Sequence, residues 1–567
     1  MYKKNKQNVW IPFALAACIA LGIFIGNYYN SLAGKTDPKV YMGNASSFNN
    51  KIESILGLIN KEYVDSVNIS DIIEATIPTV FAQLDPHSVY IPAKDAQAVN
   101  DELSGSFSGI GVSFNIATDT ILIISVIHGG PSEKAGLLPF DRIVTINDSL
   151  FVGKSLQQND VIKNLKGLTD TTVKLGIKRG DNKELIYFNV TRGKIPVNSV
   201  DVSYKLAEGI GYIKVNKFGR TTYAEFITGI AKLKSEGCKA FVIDLRGNTG
   251  GYMQSCIKMV NEFLPKNTLI VYTEGKAFPR SDMFTDGTGT CIDDPIVVLT
   301  DEYSASASEI FSGAIQDNDR GMIIGRRTFG KGLVQTQVTL KDKSEVRITI
   351  ARYYTPSGRC IQKEYTLGEE EDYNKDIYNR FMRGEFFSKD SIKRNVTDMH
   401  LTKLGRKVYG GGGIMPDVFI PRDTTALTSY LSRLLNTGLL FKFALTYSEN
   451  HKEPFEQIAD WHKVNDFLKK DKLVDKVVAF ASKNGIRKRM TLIRISSAII
   501  ERQARAYILR NFFDDEAFYP VFQEDDTNIE EAIKLIKNNK WKPQFVAVDT
   551  LQNGTNKDSI PSTDQAA

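Results

Sequence analysis

Along the chain the spacing of apolar positions changes several times, and each change marks a different kind of structure. From Val9 to about Tyr28 apolar residues run on with no charge among them. A helix of about 20 such residues spans the roughly 30 Å of a bilayer's hydrocarbon. Residues 29 to about 45 are polar, with Gly34, Pro38 and Gly43, and read as a linker. From about Phe48 to Asp95 the period is helical, with Ile52, Ile55, Leu56 and Ile59 three and four residues apart. Leu84-Asp85-Pro86-His87-Ser88 inside that stretch reads as a turn.

Between about Glu102 and Arg192 the pattern shortens to strands. Phe107–Phe114, Ile121–Val126 and Asp141–Asn147 are predicted strands, and Leu156–Leu165 a helix. Val173–Lys178 and Leu185–Val190 pair across the polar turn Gly180-Asp181-Asn182, which completes a small sheet-rich module. From about 195 to 420 strands alternate with helices, the pattern of an α/β core. Gly211–Asn216 is a predicted strand and Tyr223–Ser235 a helix. Phe241–Leu245 reads as a buried strand entering a glycine turn, and Ile296–Thr300 repeats that design ahead of Ser304-Ala-Ser-Ala-Ser308 and a helix. The charged stretch from about Leu367 to His400 reads as a surface insertion, and Gly410–Gly413 with Pro416-Asp417 closes the core. Beyond Thr424 the chain is helical with mixed charge, and after about Ala547 it is polar and predicted disordered.

The expected organisation is a cytoplasmic stub and transmembrane anchor (1–30), a linker with a helical segment (31–101) and the sheet-rich module (102–192). The α/β core (193–424), a helical extension (425–546) and a disordered tail (547–567) follow. Lys3, Lys4 and Lys6 ahead of the apolar run favour a cytoplasmic N-terminus and a translocated body. A cleaved signal peptide is one alternative. A second is lipid attachment at Cys18, because Leu15-Ala16-Ala17-Cys18 resembles a lipobox. The run continues past Cys18 as an anchor needs, so an anchor is expected.

Composition narrows the chemistry. A length of 567 residues exceeds one compact core. The net charge of +6 arises from 72 basic and 66 acidic residues that are dispersed, so no nucleic-acid partner is implied. Five cysteines, at 18, 238, 256, 291 and 360, have no metal-ligand spacing. The histidines (87, 128, 400, 451 and 462) form no HExxH, and the chain has no GxSxG elbow. No metal or cofactor is expected.

What remains is Ser304-Ala-Ser-Ala-Ser308 followed, after a helix and a strand, by Phe329-Gly-Lys-Gly332. Small residues around a serine at a strand-to-helix turn admit a substrate backbone and leave free N–H groups where the helix dipole favours an oxyanion. A lysine between glycines can point inward, and burial lowers its pKa until the neutral amine can take a proton. Taken alone, a Ser-Ala repeat also simply caps helices, and Gly-Lys-Gly also makes a solvated turn.

The segment from Asp301 to Gln335, with SASASEIFSGAIQD and RRTFGKGLVQ, resembles the catalytic region of the carboxy-terminal processing peptidases (tail-specific proteases). So do Asp244-Leu-Arg-Gly-Asn-Thr-Gly-Gly251, LDPHSVY at 84–90 and GGIMPD at 412–417, in the family's order over about residues 46–425. The resemblance implies a serine endopeptidase with a crotonase-like α/β core, nucleophile Ser306 and general base Lys331, 25 residues apart. It implies that Gln335, one helical turn beyond the lysine, orients its amine. The oxyanion hole would use the N–H of Ala307 and of Gly250 or Gly251, with the choice of glycine open. Ser304 and Ser308 are the alternative nucleophiles.

Ser108-Gly109-Ile110-Gly111-Val112 resembles the carboxylate-binding loop of a PDZ domain, as does GGPSEKAGLLPFDRIVTIND at 129–148. A peptide C-terminus would be held at Gly109, Ile110, Gly111 and Val112 and add as a strand beside Val112–Phe114, against helix Leu156–Leu165. Expected partners are proteins with apolar C-terminal tails, a bacterial inner membrane with the catalytic part periplasmic, and a second copy or an accessory adaptor on the helical extension. A non-enzymatic PDZ adaptor would be expected had Ser306, Lys331 or Gln335 been replaced. An acyl-CoA enzyme on the same core is disfavoured by the PDZ-like module and the export segment.

Overall fold

The computed structural model describes residues 50–544, apart from 118–119, 154–155, 181 and 183. The expected anchor with Cys18, the linker up to residue 49 and the tail from 547 lie outside the described residues. Among the described residues no helix is long and apolar enough to cross a membrane. The chain divides into compact units after Thr76. The first contains helix Asn50–Glu62 and the start of helix Ile69–Phe81. Asn68 Oδ1 accepts from Ser70 N–H at the head of the latter helix.

In the second unit the sheet-rich module is an antiparallel sheet. Strands Val112–Ala117, Thr120–Val126, Arg142–Ile146, Thr172–Lys178 and Ile186–Thr191 pair in that order, and Ser149–Leu150 adds to the third. Helix Gln158–Leu165 closes it, burying Val161 and Leu165 against Ile121, Ile143 and Leu175. The run 107–114, expected as one strand, is two. Ser106–Gly109 pairs with Gly193–Pro196, and a new strand starts at Val112. Gly111 turns the chain between them at φ +76°, a conformation that a Cβ disfavours.

The α/β core is a six-stranded sheet in which Val200–Ala207 lies antiparallel to Ile210–Val215. Ala240–Asp244, Ile296–Thr300, Met322–Gly325 and Val418–Phe419 then follow in parallel. Parallel strands need cover on both faces, which is why Ala240–Asp244 and Ile296–Thr300 are buried throughout and apolar up to their last residue. Helices Thr222–Ser235, Met253–Asn261 and Ala307–Asp317 cover one face. The other is closed by helix Thr527–Lys537, whose Ile529, Ala532 and Leu535 pack on Val242, Val297 and Ile324. A second, antiparallel sheet carries Leu333–Thr339 and Glu345–Tyr354 beside Val89–Ile91.

The insertion lies at the surface, as its charge suggested, but it is anchored in the core. Tyr373, Arg380, Glu385, Phe386 and Ile392 are buried. Two of its charges turn inward: Arg380 donates to Glu385 and to the carbonyls of Arg327 and Thr328. The helical extension is realised as helices from Ser429 to Phe522 around their own apolar core, followed by the sheet-covering helix Thr527–Lys537. It also touches the module, where Leu445 and Phe441 meet Leu122, Ile124 and Phe140, and Arg142 pairs with Glu449 at 2.7 Å.

Candidate active site

Ser306, Ala307, Gly250, Gly251, Lys331 and Gln335 line one cavity of about 550 Å³. The sequence scatters them from 250 to 335, and parallel strand ends bring them together. Strand Ile296–Thr300 delivers the serine segment, and Ala240–Asp244 beside it delivers the glycine turn.

Ser306 precedes helix Ala307–Asp317 with φ +55° and ψ −113°, a strained backbone for a residue with a Cβ. The neighbouring serines are structural. Ser304 and Ser308 are fully buried, and their hydroxyls donate to the carbonyls of Leu245 and Asn248 at 2.8 Å, tying the glycine turn to the serine segment. Of the three serines, Ser306 is the one that faces the cavity.

The glycine turn is fixed from behind. Asp244 is held by the guanidinium of Arg246, by Lys214 and by the hydroxyl of Tyr212. Burial works to raise its pKa, yet Arg246 and Lys214 hold the carboxyl well below the usual range. Arg246 in turn meets Asp526 of the helical extension at 2.7 Å. Gly250 lies so close to the serine that a Cβ would stand 2.7 Å from Ala305 O and from Ser306 Cβ. Its N–H donates to Asn248 Oδ1 at 2.8 Å. The bridge of Phe218 to Gly251 uses the Gly250 carbonyl and the Tyr252 N–H, which leaves the Gly251 N–H outside it.

The Lys331 amine donates to Gln335 Oε1 at 3.3 Å, and Gln335 Nε2 donates to the His87 carbonyl. Among the described residues the hydrogen bond of this amine goes to Gln335 and not to Ser306. Gln335 stands on strand Leu333–Thr339 and not one helical turn beyond the lysine as expected. A bulge between Val334 and Gln335 shifts the register there and re-aims the amide. Burial lowers the Lys331 pKa below its ordinary 10.5, Arg347 lowers it further, and Asp85 and Glu309 oppose.

Two buried groups that the sequence reading passed over hold the serine and lysine segments together. Glu309 accepts from Ser306 N–H and Lys331 N–H at 2.8 Å on one oxygen. On the other it accepts from Gly330 N–H at 2.7 Å and from the Thr328 hydroxyl at 2.5 Å. Burial pushes its carboxyl up to about 7, against the pull of those four donors. The Tyr353 hydroxyl lies against the carbonyls of both Ser306 and Lys331. A signal for Glu309 was present, since Ser306-x-x-Glu309 is a capping-box spacing. Tyr353 is far along the chain and carries none.

In the sheet-rich module Gly109, Ile110 and Gly111 are buried at the start of the edge strand, and Val112 is half-buried. The carbonyls of Ile110 and Gly111 accept from Ser132 and Ile127 N–H at 3.0 Å.

Residues 209–374 match peptidase family S41, and residues 108–190 match the PDZ domain. Residues 430–514 match a family of unknown function, DUF8443, which falls in the helical extension. The chain is similar to a "Probable CtpA-like serine protease" of Staphylococcus haemolyticus (strain JCSC1435), at 36% identity over 313 residues. That match covers 55% of this chain and 62% of the relative. It is also similar to "Carboxy-terminal processing protease CtpB" of Bacillus subtilis (strain 168), at 34% identity, covering 55% of this chain and 65% of the relative. The chain thus spans less than two thirds of the length of the curated relatives it matches. Among solved structures, a photosystem II D1 C-terminal processing protease aligns with a TM-score of 0.33 at 24% identity, over 66% of this chain and 93% of that one. At that score it adds nothing to the fold read from the strands.

Proposed function

We propose that this protein is a serine endopeptidase of the carboxy-terminal processing type. The observation that carries the reading is the shared cavity: Ser306, a desolvated Lys331 bonded to Gln335, and the glycine turn face one space. In this reading the neutral Lys331 amine takes the Ser306 proton as Oγ attacks the substrate carbonyl. The oxyanion is met by the N–H of Ala307 and of Gly251, the glycine whose N–H is not already given to Asn248. The resulting ammonium donates its proton to the leaving amine. The same amine then activates water against the acyl ester.

The PDZ domain would capture substrate proteins by apolar C-terminal tails through Gly109, Ile110, Gly111 and Val112. The succession of parallel strands joined by helices fits the crotonase-like core that the family resemblance implies. The uncharged run from Val9 to Tyr28 supports an N-terminal anchor that holds the body on the outer face of a bacterial inner membrane. Resistance of the full chain to extraction from membranes by carbonate checks that part.

Purified protein lacking residues 1–30 is expected to cleave an unfolded substrate with an apolar tail. Ser306→Ala and Lys331→Ala are each expected to abolish cleavage, and full turnover by Ser306→Ala ends the assignment. A non-enzymatic adaptor would bind the tail and leave it intact.

A further inference from the structure

The turn at 84–88 and the insertion take no part in the reaction as described, yet both reach the lysine. Tyr373, on helix Glu370–Met382, is buried and places its hydroxyl 2.8 Å from His87 Nε2. The phenol oxygen also accepts from Gln362 Nε2 at 3.4 Å, so Tyr373 ties the ring to the segment that carries Gln362 whichever ring tautomer is present. A neutral imidazole can either accept or donate in its bond to Tyr373. Burial, with Lys331 and Lys363 nearby and Asp85 opposing, pushes the ring's pKa down to about 4. Below the ring, Asp85 accepts from His87 N–H and Ser88 N–H at 3.0 and 3.1 Å, so the turn is held from both sides.

What the turn presents to the cavity is the His87 carbonyl. A carbonyl only accepts, so Gln335 must give it the NH2 group and turn Oε1 to Lys331. An amine that spends one N–H on Oε1 keeps its lone pair for another donor. The insertion and the segment before it also support the loop that carries Lys331. Arg380 donates to the carbonyls of Arg327 and Thr328 at 2.7 and 2.9 Å, and Lys363 N–H donates to Gly330 O at 2.9 Å.

We propose that Tyr373 and His87 are positioning residues for the general base: the phenol fixes the imidazole, and the His87 carbonyl fixes the orientation of Gln335 that holds the Lys331 amine. The proposal rests on the Ser306/Lys331 reading of the site. It makes the insertion a working part of the peptidase and not a decoration.

The test measures kcat and KM of the full chain against pH, with thermal midpoints, on an unfolded substrate with an apolar tail. Tyr373→Phe and His87→Ala are expected to lower kcat by about tenfold or more and leave KM within about twofold. The acid limb of kcat reports Lys331, which faces Asp85, Glu309 and Arg347 and the neutral His87. It is expected to move to higher pH as water enters and desolvation relaxes. His87→Gln, whose amide can meet the Tyr373 hydroxyl, is expected to recover most of the loss seen in His87→Ala. Wild-type kcat and an unmoved acid limb in Tyr373→Phe and His87→Ala would overturn the proposal. So would a loss that merely follows the folded fraction, equal in His87→Gln and His87→Ala. Ser306→Ala in the same assay separates the two levels. If it turns over, the reading beneath is wrong; if it is dead while Tyr373→Phe is normal, only the positioning role fails.

Discussion

Glu309 offers the sharpest test of how the site is assembled. Its carboxylate takes four donors, three of them backbone N–H groups of the serine and lysine segments. Glu309→Ala strands those three, at about 1–3 kcal/mol each where water does not replace the acceptor. The variant is expected to be inactive and strongly destabilised. Glu309→Gln can keep its oxygen on Ser306 and Lys331 while its NH2 faces Thr328, whose hydroxyl can turn to accept. Only the Gly330 N–H is then stranded, costing about 1–3 kcal/mol. If the loss falls on the catalytic geometry, kcat drops by about 10- to 100-fold.

The pH dependence of stability gives a second readout with a definite sign. The carboxyl rises from an ordinary 4.5 to about 7 on folding. Stability from this group is therefore full below about 4.5 and lost as pH rises through about 7, a swing of about 3 kcal/mol. Urea unfolding of wild type and Glu309→Gln between those values checks it, since the variant has no group there to titrate. Wild-type kcat together with an unchanged slope of stability against pH in Glu309→Gln would refute the argument.

Three further outcomes follow from the same geometry. Gly250→Ala puts a Cβ 2.7 Å from Ala305 O at φ +102° and is expected to abolish cleavage with tail binding intact; normal turnover would show the turn to be loose. Arg347 holds the Lys331 pKa down, so Arg347→Gln is expected to shift the acid limb of kcat to higher pH, and an unmoved or lowered limb contradicts that electrostatic account. Leu535→Ala opens the covered back of the parallel sheet and is expected to cost about 2–5 kcal/mol in denaturant unfolding, far more than a solvent-facing leucine on a separate appendage would.

Much of the arrangement was legible in the residues. Buried parallel strands announced themselves as the short apolar runs Phe241–Ile243 and Ile296–Leu299, each leading into a turn rich in small residues. The motifs at 301–335 and 244–251 named the residues that the fold gathers round one cavity. The expected single strand over 107–114 failed because alternation cannot see a left-handed glycine at 111. The helical turn expected between Lys331 and Gln335 failed because the segment pairs with Glu345–Tyr354 and bulges.

The sequence by itself determined which short segments carry reactive and permissive residues, since glycine, serine and lysine at a turn have local consequences. The tertiary structure alone decided which of Ser304, Ser306 and Ser308 faces the cavity. It also decided that a charged insertion turns Tyr373 and Arg380 inward. Those outcomes depend on burial and on partners dozens to hundreds of residues away, and neither desolvation nor a long-range hydrogen bond leaves a mark in local spacing.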